Sequence, residues 1–128
     1  MSFRLEKERT TSTPYLLIDE AKGYMRLEGR CFHENIGQFF QTITDWLDIY
    51  LATDFGTLTV DNAVTYFNSS TTKLLLNMLL KMDRHAIGGN TIIVNWHMSA
   101  DNEIMQECGE DFAEEVKNLT FNMVVTEA

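Results

Sequence analysis

The chain has 128 residues, of which 45% are hydrophobic and 23% charged, the mix of one globular domain and not of a disordered chain. Ten Lys and Arg against nineteen Asp and Glu leave a formal net charge of -9. That balance argues against a nucleic-acid backbone or an anionic membrane as partner, and no apolar run approaches the roughly 20 residues that span a bilayer.

Residues 1–14, MSFRLEKERTTSTP, carry charges but no apolar leader core, so the expectation is a cytoplasmic protein whose first dozen residues fray. Tyr15-Leu16-Leu17-Ile18 and Tyr24-Met25-Arg26-Leu27-Glu28 flank a turn that contains Gly23 and read as a β-hairpin. Over 34–52, Ile36, Phe39, Phe40, Ile43, Leu47, Tyr50 and Leu51 recur at helical spacing, with Asp45 and Asp48 on the wet side. Leu58 to Phe67 is β-branched and aromatic, a central strand. Asn68-Ser69-Ser70-Thr71-Thr72 follows as a turn or cap. Lys73 to Ala86 reads as a helix that ends before Gly88-Gly89. Thr91 to Trp96 is a buried strand. Ser99 caps a predicted helix over 100–116, with Ile104, Met105, Cys108, Phe112 and Val116 as its apolar stripe, and Leu119 to Val125 is a last strand. The order β-β-α-β-α-β-α-β predicts a single α/β domain over 1–128, with a mixed, mostly parallel sheet and about three helices.

Catalytic sets are absent from the pattern. There is no GxSxG, Walker A or GxGxxG motif. His97 with Asp101 and Glu103 is the nearest approach to a metal cluster, short of the four converging ligands of a structural zinc site, so no metal and no cofactor are expected. Cys31 and Cys108 form no CxxC pair and read as free thiols in a reducing compartment. Seven acids crowd residues 101–115 without a base. They form a solvated face or steer a basic partner.

Two features exceed structural need. Four hydroxyls, Ser69 to Thr72, stand where one would cap a helix. They are either a redundant cap or a phosphoacceptor, since a helix N-terminus accommodates added negative charge. Leu74, Leu75, Leu76, Met78, Leu79, Leu80 and Met82 surround most of the next helix. Such a helix is buried on all sides or offers a face to a partner. From Asn62 to Asn77, Lys73 is the only charged residue.

Thr13-Pro14, Leu27-Glu28-Gly29-Arg30 with Glu34-Asn35, Asp45-Trp46-Leu47 before Tyr50-Leu51, Tyr66-Phe67-Asn68-Ser69-Ser70 with Lys73, Val94-Asn95-Trp96, Asp101-Asn102-Glu103 with Met105, and Gly109-Glu110-Asp111-Phe112 follow one another in a specific order and spacing. Together they resemble the SiaC family of bacterial regulatory phosphoproteins. The resemblance spans about 13–125. It implies a STAS-like fold, similar to the anti-sigma factor antagonists, and a non-enzymatic partner-switching role. It also implies phosphorylation at Ser69, directly after Asn68, with Ser70 and Thr71 as alternates because SiaC itself has Thr there. His97 stands where the family often has an aromatic residue and is given no role.

The implied partners are a histidine-kinase-like Ser/Thr kinase, a PPM-type phosphatase and a diguanylate cyclase that the unphosphorylated form activates, with cyclic di-GMP and biofilm as output. An anti-sigma-type target and a small metal-dependent enzyme are the rival readings. The expected docking positions are Asn68, Ser70, Thr72, Lys73, Leu76, Asn77 and Leu80. The same apolar helix also allows a homodimer.

Overall fold

The structure is a computed structural model and describes residues 2–126. Strand β1 (Arg4–Lys7) precedes β2 (Tyr15–Asp19) and β3 (Tyr24–Cys31). A 3-10 turn over Glu20–Lys22 joins β2 to β3, and Gly23 closes it at φ 59°, a left-handed conformation that favours glycine. Then α1 (Ile36–Tyr50), β4 (Thr57–Phe67), α2 (Ser69–His85), β5 (Thr91–Ser99), α3 (Glu103–Glu115) and β6 (Thr120–Thr126) alternate. The strands form one sheet in sequential order. β1, β2 and β3 pair antiparallel, while β3, β4, β5 and β6 pair parallel. This is the mixed, mostly parallel sheet that the alternation predicts.

Each parallel connection steps to the next strand through a helix. Right-handed crossovers taken in one direction place all three helices on one face. Burial follows that rule. Met25, Leu27, Leu58, Val60, Val64, Ile92, Val94, Trp96 and Met98 are buried on the helical face. The alternate residues Tyr24, Arg26, Asp61, Asn95 and His97 stand half-buried on the other, open face. No helix among the described residues is long and apolar enough to cross a membrane.

Three local expectations are corrected. The first dozen residues do not simply fray: β1 pairs with β2 in the register Leu5↔Ile18, and Ser12 O accepts the backbone N–H groups of Phe32 and His33 at 2.8 and 3.0 Å. A four-residue polar edge strand has no hydrophobic period to announce it. The second helix starts at Ser69 and not at Lys73, so the hydroxyl run is its first turn. The third helix is capped by Asn102, whose side chain accepts Met105 N–H at 3.2 Å, while Ser99 ends β5. Its buried face is Met105, Gly109 and Phe112, and Ile104 is 73% exposed. Gly109 lies directly on Trp96, where an added Cβ would sit 2.6 Å from the indole Cδ1. A contact made by a missing side chain leaves no mark in a hydrophobic pattern.

Candidate functional site

The β4–α2 junction begins with Asn68 in extended conformation, φ -88° and ψ 177°. Its Oδ1 accepts the Thr71 backbone N–H at 3.1 Å, which satisfies one of the free donors of the first turn. The Thr71 hydroxyl lies 2.9 Å from the same oxygen and 3.2 Å from Cys31 O, and Thr71 is fully buried. The Thr72 hydroxyl donates to Asn68 O at 3.1 Å. Ser69 and Ser70 are exposed, and their side chains make no hydrogen bond among the described residues. The four hydroxyls therefore divide into two that build the helix start and two that face solvent. As an alternate acceptor, Thr71 is closed: a kinase would have to unwind this turn to reach it.

At about 100° per residue, Ser69, Thr72, Lys73, Leu76 and Leu80 share one side of α2, with Ser70 and Asn77 beside them. Thr71, Leu75, Met78, Leu79 and Met82 share the opposite side and are buried. Ser69, Ser70, Lys73 and Asn77 are exposed, and Thr72, Leu76 and Leu80 are half-buried. The apolar excess that the sequence raises thus resolves into a core face, flanks packed near α1 and α3, and an outer strip with Leu76 and Leu80 partly bare. Ser69 stands at the N-terminal end of that strip.

Sequence reasoning missed a group at the same end of the sheet. Arg30 and Tyr66 are register partners across β3 and β4. The Arg30 guanidinium lies 4.9 Å from the Phe32 ring centre and 5.6 Å from that of Tyr66. The two rings meet edge to face at 5.8 Å. Neither Arg30 nor Lys73 forms an ion pair among the described residues. Arg and Tyr are the residue types that anchor interfaces. Only the strand pairing, absent from a linear pattern, brings these three side chains together.

The rival cluster does not assemble. On the open face, His97 Nε2 lies 3.0 Å from Asp61 Oδ1. Asp61 also accepts Tyr24 Oη at 2.6 Å and Asn95 Nδ2 at 3.0 Å. Burial pushes the Asp61 carboxyl up, but these hydrogen bonds outweigh it and hold the group below the usual carboxylate range. Asp101 instead accepts the Ser99 hydroxyl, and Glu103 opens α3 in the exposed. No three His, Cys, Asp or Glu among the described residues converge as metal ligands. Burial raises the Cys31 and Cys108 thiols to about 11, which suits inert structural cysteines.

The model of the SiaC family of regulatory phosphoproteins matches residues 7–126. The chain belongs to that family. An uncharacterised Pseudomonas aeruginosa protein is 29% identical to this SiaC-family chain over 106 residues, 83% of this chain and 84% of that one. The crystal structure of apo-SiaC from Pseudomonas aeruginosa superposes with a TM-score of 0.83 at 26% identity, covering 97% of this chain and 98% of the other. SiaC in its complex with the diguanylate cyclase SiaD, which it activates, superposes with a TM-score of 0.85 at 27% identity, covering 97% and 99%. This SiaC-family member shares with them the six-stranded sheet and three helices, as the resemblance implies.

Proposed function

We propose that this protein binds and activates a diguanylate cyclase through the outer strip of α2, and that phosphorylation of Ser69 releases it. The observation that carries the reading is the exposed Ser69 hydroxyl at the head of a nearly neutral, partly apolar strip. The known complex of a SiaC with its cyclase supports the choice of partner. A histidine-kinase-like kinase moves the γ-phosphoryl group of ATP onto Ser69 Oγ and leaves ADP. A PPM-type phosphatase returns the hydroxyl by hydrolysis. This chain supplies only the acceptor hydroxyl, which gives up its proton as the O–P bond forms, and its role is otherwise to bind.

The phosphate brings about 1.5 to 2 negative charges to the helix head. In the free protein the helix N-terminus stabilises it by roughly 0.3–1 kcal/mol. Inside an apolar interface the same charge is desolvated, at a cost of several kcal/mol if unpaired. A net loss of about 2.7 kcal/mol weakens binding roughly a hundredfold.

The test is calorimetric titration of the cyclase with wild type, Ser69→Ala and Ser69→Asp, beside labelling by the cognate kinase with ATP. Ser69→Ala is expected to bind like wild type and to take no label, and Ser69→Asp to bind at least tenfold more weakly. Full labelling of Ser69→Ala would overturn the site. Equal binding by all three proteins would overturn the gating.

A further inference from the structure

A groove of about 340 Å³ runs along α1 at the end of the sheet away from Ser69. Thr42, Asp45, Trp46 and Ile49 line it from α1 at i, i+3, i+4 and i+7, a single helical stripe. Phe3 and Glu20 line it from the N-terminal side. The register fixes its place. Arg4 pairs with Asp19 and Asp19 with Tyr24 at the start of β3, whereas Cys31, at its end, pairs with Phe67 beside the head of α2. The two ends of β3 are roughly 23 Å apart.

The lining is apolar: Trp46 is buried beneath Phe3, while Ile49 and Phe3 themselves are open to solvent. Ile49 is 72% exposed and Phe3 40%. The Phe3 ring stacks on Trp46 with centres 6.4 Å apart, and Tyr50 stacks on Trp46 at 4.7 Å. Trp46 Nε1 donates to Glu20 Oε1 at 2.9 Å, which satisfies its polar edge and leaves the rest of the ring apolar. The rim is acidic. Asp45 accepts Gln41 Nε2 at 2.7 Å, and neither Glu20 nor Asp45 forms an ion pair among the described residues.

Two uncompensated carboxylates around an apolar floor complement a ligand that is apolar in the middle and cationic at its edges. The stripe runs along about 10 Å of helix, which suits an extended or helical segment better than a compact molecule. We propose that this groove docks a basic, amphipathic segment of a partner protein. One large aliphatic or aromatic side chain covers Ile49 and Phe3, and flanking Lys or Arg reach Glu20 and Asp45. The groove lies at the other end of the sheet from Ser69. A partner held there stays bound whether or not Ser69 carries phosphate, so the contact is separate from the switch.

The test uses the full chain and a labelled synthetic Leu/Lys amphipathic peptide, with its Leu/Glu counterpart as control, read by fluorescence anisotropy. Wild type is expected to bind the Leu/Lys peptide, with affinity that falls as salt rises, and not the Leu/Glu peptide. Ile49→Ser, at a position too exposed to affect folding, is expected to weaken binding about tenfold or more. Glu20→Gln with Asp45→Asn is expected to weaken it and flatten the salt dependence. Ser69→Asp leaves it unchanged. The other acidic surface is the α3 face of Glu103, Gln106, Glu107 and Glu110. The proposal is overturned if wild type does not bind, if Ile49→Ser binds as well as wild type, or if Glu107→Gln with Glu110→Gln removes the binding instead. Loss of binding in Ser69→Asp would overturn its independence from the switch.

Discussion

Asn68 and Thr71 lock the head of α2 through one oxygen: Asn68 Oδ1 accepts the Thr71 N–H at 3.1 Å and lies 2.9 Å from the Thr71 hydroxyl. The same arrangement buries Thr71 and turns Ser69 outward. Structure and proposed regulation therefore meet in a single cap. Asn68→Ala is expected to cost about 1 kcal/mol of stability, the usual worth of a helix N-cap, seen as a lower urea midpoint at unchanged slope. Thr71→Val keeps the shape of the side chain and drops its hydroxyl. It is expected to lose about 1 kcal/mol and still take one phosphate per chain from the kinase. Loss of labelling in Thr71→Val with Ser69 intact would move the acceptor.

Asp83 organises the opposite end of α2. Its carboxylate accepts the backbone N–H groups of Lys117, Asn118 and Leu119 at 2.7 to 3.1 Å, tying the α3–β6 loop to the helix. Asp83→Ala strands those donors and is expected to cost about 3 kcal/mol in chemical denaturation.

Asp83 and Asp61 are expected to contribute to the acid limit of stability. In each, burial raises the carboxyl pKa and hydrogen bonds lower it further, leaving a net shift downward. The folded state thus holds these protons more weakly than the unfolded chain does. Their contribution is fully present above the unfolded carboxylate value of about 4 and is lost as pH falls through the folded values below it. Thermal melting at stepped pH is expected to show a falling Tm in that window. Asp61→Asn and Asp83→Asn should each flatten the slope. An unchanged slope in both variants would contradict the assignment.

Gly109 is expected to tolerate no side chain. In Gly109→Ala the new Cβ meets Trp96 Cδ1 at 2.6 Å, Trp96 Nε1 at 2.7 Å and Met123 Cε at 2.8 Å, so the buried Trp96 ring or α3 must shift. A loss of about 1–3 kcal/mol, with a shift in tryptophan emission, is the expected outcome.

The thiols of Cys31 and Cys108, both raised to about 11, are expected to resist alkylation in the native protein at neutral pH and to react quickly once it is unfolded. Rapid native-state labelling of Cys31 would show that the head of α2 opens, because Thr71 lies on its carbonyl.

The alternation of periods along the chain was enough to determine the helices, five of the six strands and the mostly parallel sheet, because apolar spacing follows directly from helix and strand geometry. The motifs were enough for the family. Composition placed one charged residue, Lys73, in the whole Asn62–Asn77 stretch, so the contrast between a neutral strip and an acidic chain was legible in advance. What sequence could not decide depends on pairs distant in the chain. β1 pairs along β2 with Leu5 as its one core contact, too little for a periodic pattern to announce. The helix starts at Ser69 because Asn68 caps it locally through the Thr71 N–H, and the Thr71 hydroxyl, 3.2 Å from Cys31 O 40 positions away, ties that first turn to the sheet. Which of the four like hydroxyls are exposed and which are buried depends on which side of α2 faces the sheet. Arg30 with Tyr66, and Phe3 with Trp46, meet only after the strands align. The charge of -9 excluded partners from the start. Where it frames bare apolar surface, at Glu20 and Asp45, was decided by tertiary packing, because Phe3 and Glu20 meet α1 only in the folded chain.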